Sequence, residues 1–172
     1  TFNHGLNESK KKFSNTNTMT QSIKLTTDQM RLISLFQNVT KVTAHDCLED
    51  EKQDRIIFAV NTGKMGLAIG KGGSNIKSLQ NILKRNVELV EYFDDPIKFL
   101  KNTFNPKLVN EVKLGTKPDG SSQATVIVDQ VKKGIVVGRD GRNAQKARLF
   151  AKRYFDISSV QITSQEITQL EM

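Results

Sequence analysis

The chain has 172 residues, 37% of them hydrophobic, with 26 Lys and Arg against 18 Asp and Glu and a formal net charge of +8. That length allows one ordinary domain or two very small ones, and the basic balance points to an acidic partner: nucleic acid, an anionic membrane surface or an acidic protein. The single Cys47 excludes an internal disulfide, two His with one Cys exclude a Cys/His zinc site, and the apolar runs are far shorter than the roughly 18 residues of a membrane span. The amino terminus has no apolar signal core, so secretion is not expected and a reducing, cytoplasmic setting is.

Residues 1–22 hold four Asn, four Thr, three Ser and the run Lys10-Lys11-Lys12. Few apolar groups are there to offset chain entropy, so a disordered basic tail is expected. A helix is expected from Thr27, with Asp28 favouring its positive end and Met30, Ile33, Leu35 and Phe36 as its apolar stripe. Lys41–Leu48 and Arg55–Asn61 read as strands rich in β-branched residues. The acidic turn between them, 49–54, reads as a solvated hairpin tip. A short helix over Lys64–Ile69 leads to a glycine cluster. Ser74–Arg85 then puts Ile76, Leu79 and Leu83 on one helical face, and Val87–Tyr92 is a strand.

The same order follows again. Asp95 caps a helix with Pro96 at its first position, where the missing N–H costs nothing. Strands are expected at Leu108–Leu114 and Gln123–Asp129, with a turn at Lys117–Gly120 between them. Val131–Val137 leads to a second glycine cluster, and Arg142–Phe155 is a helix with Ala144, Ala147, Ala151 and Tyr154 facing inward and Phe150 beside them. Ser159–Thr163 closes the series, and 164–172 is a tail.

This recurrence is a sequence repeat. Shifting the chain by 68 positions lays Gly66, Gly70, Gly73 and Asn75 on Gly134, Gly138, Gly141 and Asn143 without a gap, and Lys84-Arg85 on Lys152-Arg153. Two copies of one α+β module of roughly 70 residues account for that register. Each is expected to be a three-stranded sheet with helices on one face. The boundary falls near Asp94–Pro96, giving units at 23–95 and 96–163.

Each copy places Gly-x-x-Gly between two helices: Gly70-Lys71-Gly72-Gly73 and Gly138-Arg139-Asp140-Gly141. Glycines let a sugar–phosphate chain approach the backbone, the N–H groups at the start of the next helix favour an anion, and Lys71 or Arg139 adds a full charge. Gly63-Lys-Met-Gly66 also fits the bare motif, but the shift lays Gly63 on Val131. The charge follows the loops. Residues 63–85 carry five basic side chains and no acid, and 130–155 carry eight with Asp140 as their one acid. Lys77, Lys84 and Arg85 in the first copy, and Arg142, Lys146 and Arg148 in the second, are the candidates to follow a strand beyond the loop. A P-loop fails on spacing, since Gly66 and Gly70 are one residue too close. His45-Asp46-Cys47 is discounted as a catalytic cluster, because neighbours on a strand point to opposite faces. No metal, cofactor or enzymatic set is expected.

Ile69-Gly-Lys-Gly-Gly-Ser-Asn-Ile76 resembles the signature of a KH domain, and the element order is similar to the type II arrangement. Two such modules in direct succession resemble the archaeal NusA-type transcription factors over roughly residues 23–163. The second loop departs from the pattern, with Ala144 where Ile is usual and Asp140 inside the loop. Bacterial relatives of that family carry a polymerase-binding and an S1 domain for which this chain has no room, so their polymerase contact is not carried over. The resemblance implies that each loop clamps about four nucleotides of single-stranded RNA or DNA. The bases would lie on Ile69, Ile76, Ile57 and Ala59 in the first copy, and on Val137, Ala144 and Thr125 in the second. It further implies an RNA-binding factor acting on nascent RNA in termination or antitermination. RNA polymerase or other transcription or ribosomal factors are candidate partners, no membrane contact is expected, and a monomer is expected. Ribosomal RNA processing or assembly, and a protein-interaction scaffold, are the alternative roles.

Overall fold

The computed structural model describes residues 24–165. The expected tail at 1–22 lies outside the described residues; of the expected tail at 164–172, Ser164 and Gln165 still belong to the last strand. The first helix, α1 (Thr27–Thr40), is capped by Thr26, one residue earlier than expected. Thr26 Oγ1 accepts from the Gln29 N–H at 3.2 Å while Gln29 Oε1 accepts from the Thr26 N–H at 2.9 Å. Thr27 cannot make that reciprocal pair, because Met30 stands three residues after it. The helix ends with Lys41 at φ 63°, so the next strand starts after Lys41 rather than on it. Met30 is exposed; the inward stripe is Leu32, Ile33, Leu35, Phe36 and Val39.

Strands β1 (Ala44–Asp50) and β2 (Arg55–Asn61) form an antiparallel hairpin with a bulge between Ala44 and Asp46. The short helix α2 (Met65–Ile69), one turn of 3-10 helix at Lys71–Gly73 and α3 (Ser74–Leu83) follow. Strand β3 (Asn86–Tyr92) then pairs with β2 in parallel. The second half repeats this order. Helix α4 (Pro96–Thr103) starts at Asp95, whose carboxylate accepts from the Ile97 N–H at 3.0 Å, as the sequence implies. Strands β4 (Val109–Thr116) and β5 (Ser122–Asp129) pair antiparallel. Helices α5 (Lys133–Val137) and α6 (Arg142–Phe155) precede β6 (Ser159–Gln165), which is parallel to β5. Both sheets are three-stranded with the same strand order, and the fold class is the expected α+β.

One core joins α1, α2 and α3 to the first sheet through Phe36, Ile56, Phe58, Val60, Ala68 and Leu79, with Phe36 stacked on Phe58 at 4.6 Å. The other face of that sheet is not open. Ile57, Ala59 and Val90 share a core with Phe99 and Leu100 of α4 and with Ala147, Phe150, Ala151 and Tyr154 of α6. The layers therefore run helices, sheet, helices, sheet. Strand β2 is covered on both faces, which accounts for its unbroken apolar run Ile56–Val60. In β5, by contrast, Ala124, Val126 and Val128 are buried while Gln123, Thr125, Ile127 and Asp129 are not. Its other face carries mixed, partly polar side chains.

Candidate nucleic-acid interface

The two glycine loops have the same backbone. Gly70 and Gly138 sit at φ/ψ 77°/168° and 82°/165°, Gly72 and Asp140 at 63°/22° and 55°/26°, and Gly73 and Gly141 at 74°/19° and 71°/19°. A clip holds each loop. Asn75 Nδ2 donates to the Leu67 carbonyl at 3.2 Å, and Asn143 Nδ2 to the Ile135 carbonyl at 3.5 Å, tying the short helix to the long one across the turn. This explains both the repeated Asn and the first glycine. A Cβ on Gly70 would stand 2.8 Å from Ser74 Oγ and 2.9 Å from Asn75, and one on Gly138 would stand 2.8 Å from Asn143. Gly72, Gly73 and Gly141 face open space, and their requirement is the positive φ alone.

The loop differs in one respect from the expectation. The Gly73 N–H donates to the Gly70 carbonyl and the Ser74 N–H to that of Lys71, and Gly141 and Arg142 repeat this. Those amides are used by the turn itself. The glycine surface and the side chains of Lys71 and Arg139 remain exposed at the two loops.

The candidate side chains divide into two groups. Lys71, Lys77, Lys84, Arg139 and Arg148 are exposed, and Lys84 caps the far end of α3. Ile69 is exposed beside the first loop, while Ile76 is half-buried against the core. The others are engaged inside the protein. Arg85 donates to Glu49 at 2.9 Å and lies 3.5 Å from Asp54. Arg142 pairs with Glu88 of the first half at 3.3 Å. Lys146 is half-buried near the same group; desolvation lowers its pKa, Glu88 opposes that, and Arg55 and Arg142 lower it further.

The expected groove floor needs correction. Ile57 and Ala59 are 0% exposed and Ala144 is 2% exposed. The first two lie on the sheet face that α4 and α6 cover, so a base does not reach them. Val137 and Thr125 are partly exposed. The open apolar side chains at the loops are Leu67, 64% exposed, and Ile135, 65% exposed, which the sequence reading overlooked. The signal was present: both precede the first loop glycine by three residues, at equivalent positions of the repeat. A five-residue helix turns one side chain fully inward, Ala68 or Val136, and leaves these outside.

The acidic turn is also not simply solvated. Asp50 is buried and pairs at 2.9 Å with Arg55, itself 0% exposed. Arg55 further donates to Glu88 at 2.6 Å and to the Arg142 carbonyl at 2.7 Å. A second junction centres on Asp46, which accepts from Arg153 at 2.5 and 2.8 Å, from the Tyr154 hydroxyl at 2.8 Å and from the Cys47 N–H at 2.8 Å. The β1 bulge overturns the strict alternation assumed for His45 and Asp46. Both lie against Tyr154, Asp46 through the hydroxyl and His45 ring-to-ring at 5.9 Å, with His45 stacked on Tyr92 at 3.9 Å. They brace the two halves.

Residues 31–115 match the family model described as KH domain, from within α1 to within β4. "Probable transcription termination protein NusA" of Halobacterium salinarum is 37% identical over 142 residues, covering 83% of this chain and 99% of that one. The chain belongs to the archaeal NusA family. The NusA protein of Methanocaldococcus jannaschii is 30% identical over 141 residues, covering 81% of this chain and 75% of its own length. The crystal structure of APE1850 superposes with a TM-score of 0.75 at 36% identity, covering 81% of this chain and all of that one. Within this NusA-family chain the KH match contains the first glycine loop and the whole first sheet. No helix among the described residues is long and apolar enough to cross a membrane.

Proposed function

We propose that the chain is a single-stranded RNA-binding transcription factor that acts on nascent RNA in termination or antitermination. The observation that carries this reading is the pair of glycine loops with one backbone conformation, each flanked by exposed basic side chains, in a chain of the NusA family. Residues 23–95 form a first KH domain and 96–163 a second, whose element order and strand pairing are those of the first. The ion pairs between the halves favour one continuous track of roughly eight nucleotides, twice the span of one KH unit. Lys71, Lys77, Lys84, Arg139 and Arg148 are the phosphate contacts; Ile69, Leu67 and Ile135 meet bases or sugars. The chain acts without enzymatic chemistry, as a cytoplasmic monomer, with the transcription machinery as its further partner.

Changing Lys71 and Gly72 together to Asp is expected to lower RNA affinity at least tenfold in a fluorescence-anisotropy titration while circular dichroism stays unchanged. The logarithm of the affinity should fall with the logarithm of salt by about 0.7 per phosphate contact. Unchanged affinity, or a flat salt response, would remove the first loop from the binding surface.

A further inference from the structure

The two loops share a conformation but not the means of keeping it. The middle of the first loop is Gly72 at φ 63°, where glycine is unstrained. The equivalent residue of the second is Asp140 at φ 55°, a region that a side chain disfavours and that Asp tolerates better than most. The carbonyl of this same strained residue accepts from Gln53 Nε2 at 3.0 Å, from the β1–β2 turn of the other half. Two residues on, the Arg142 carbonyl accepts from Arg55 Nη2 at 2.7 Å. Among the described residues no side chain does the same for the carbonyls of Gly72 or Ser74.

Arg55 is well placed as a fixed support. It is fully buried, and Asp50 and Glu88 hold its other nitrogens at 2.9 and 2.6 Å. The repeat shows that this role is no part of the module itself. The residue 68 positions on is Gln123, in the second sheet. We propose that Arg55 and Gln53 are positioning residues for the second loop, so that its capacity to hold an RNA strand is set by the first half of the chain. This rests on the reading that the loops bind RNA.

The test uses the full chain, with four- and eight-nucleotide oligouridylates as probes and 15N relaxation of the free protein. Gln53→Ala lies on the surface and retains the fold; Arg55→Gln installs the residue of the second copy. Each is made in the native background and in Asp140→Gly and Asp140→Asn backgrounds. Asp140→Gly removes the strain, and Asp140→Asn removes the charge but keeps a side chain at positive φ. The expected result is a lowered order parameter at Asp140 and Gly141 with none at Gly72 and Gly73. Eight-nucleotide affinity should fall about fivefold for the lost carbonyl bond while four-nucleotide affinity holds. These losses should persist in the Asp140→Asn background and vanish in the Asp140→Gly background. Equal losses in both backgrounds, or order parameters that stay unchanged in the Gln53→Ala chain, would overturn the proposal. If the native chain binds neither probe, the RNA reading fails, and the relaxation data alone decide the positioning role.

Discussion

Gly70 and Gly72 stand two residues apart in one motif and answer to different constraints. Gly72 needs only its positive φ, whereas Gly70 also lies where a Cβ would strike Ser74 and Asn75, at a φ/ψ of 77°/168° that glycine alone adopts readily. Gly72→Ala is therefore expected to cost about 1 kcal/mol. Gly70→Ala should cost about 2–4 kcal/mol, because the clash adds to the strain and breaks the Asn75 clip. Urea denaturation of both variants measures the difference; equal costs would mean that Asn75 relaxes freely. The spacing of the glycines was plain in the sequence. Which of them faces a neighbour was not, since that depends on where the Asn side chain folds back.

At the scale of elements, the β1 bulge sets the environment of His45. It turns the imidazole onto Tyr92 of β3 and the edge of Tyr154 of α6, with Nε2 buried and without a hydrogen-bond partner among the described residues. Desolvation lowers its pKa, and the nearby Asp46 and Asp94 carboxylates offset that in part; Arg153 also reaches this cluster through Asp46. A base with a lowered folded pKa binds fewer protons folded than unfolded, so its contribution is present above the ordinary His pKa of about 6.5 and is lost as pH falls through the folded value. Stability measured from pH 7.5 to 5 should decline, and His45→Gln should flatten that decline. An identical slope in the variant would place the titration elsewhere. The helices and strands themselves were legible, because α3 and α6 show clear apolar faces: the expected Ala144, Ala147, Phe150, Ala151 and Tyr154 are all buried. The bulge was not legible, because one extra residue leaves no mark on the alternation of so short a strand.

For the whole molecule, the decisive fact is that α4 and α6 complete the first sheet. A fragment ending at Asp95 would expose Ile57, Ala59 and Val90 and leave Arg55 and Asp46 without their partners from α6. Such a fragment is expected to be unfolded or aggregated, whereas the intact chain should melt in one calorimetric transition with equal van't Hoff and calorimetric enthalpies. Two resolved transitions, or a soluble and folded first fragment, would show that the halves are independent. Net charge is a poor guide at this scale too. The first half, 23–95, carries ten basic and ten acidic residues, yet its loop segment leaves Lys64, Lys71, Lys77 and Lys84 exposed, while Asp46, Glu49 and Asp50 are paired with Arg153, Arg85 and Arg55.

The duplication, the element order, the two loops and their resemblance to KH domains are all legible in the sequence, because they rest on local spacing: glycines at fixed offsets, helical faces and turn residues. Which side chains remain exposed depends instead on long-range packing. Ile57 and Ala59 passed from groove floor to buried core, Arg142 and Arg85 from strand contacts to ion pairs, and Asp50 from solvent to a buried salt bridge. Each change is made by residues far along the chain, and a repeat seen in one dimension does not show that its second copy covers the first.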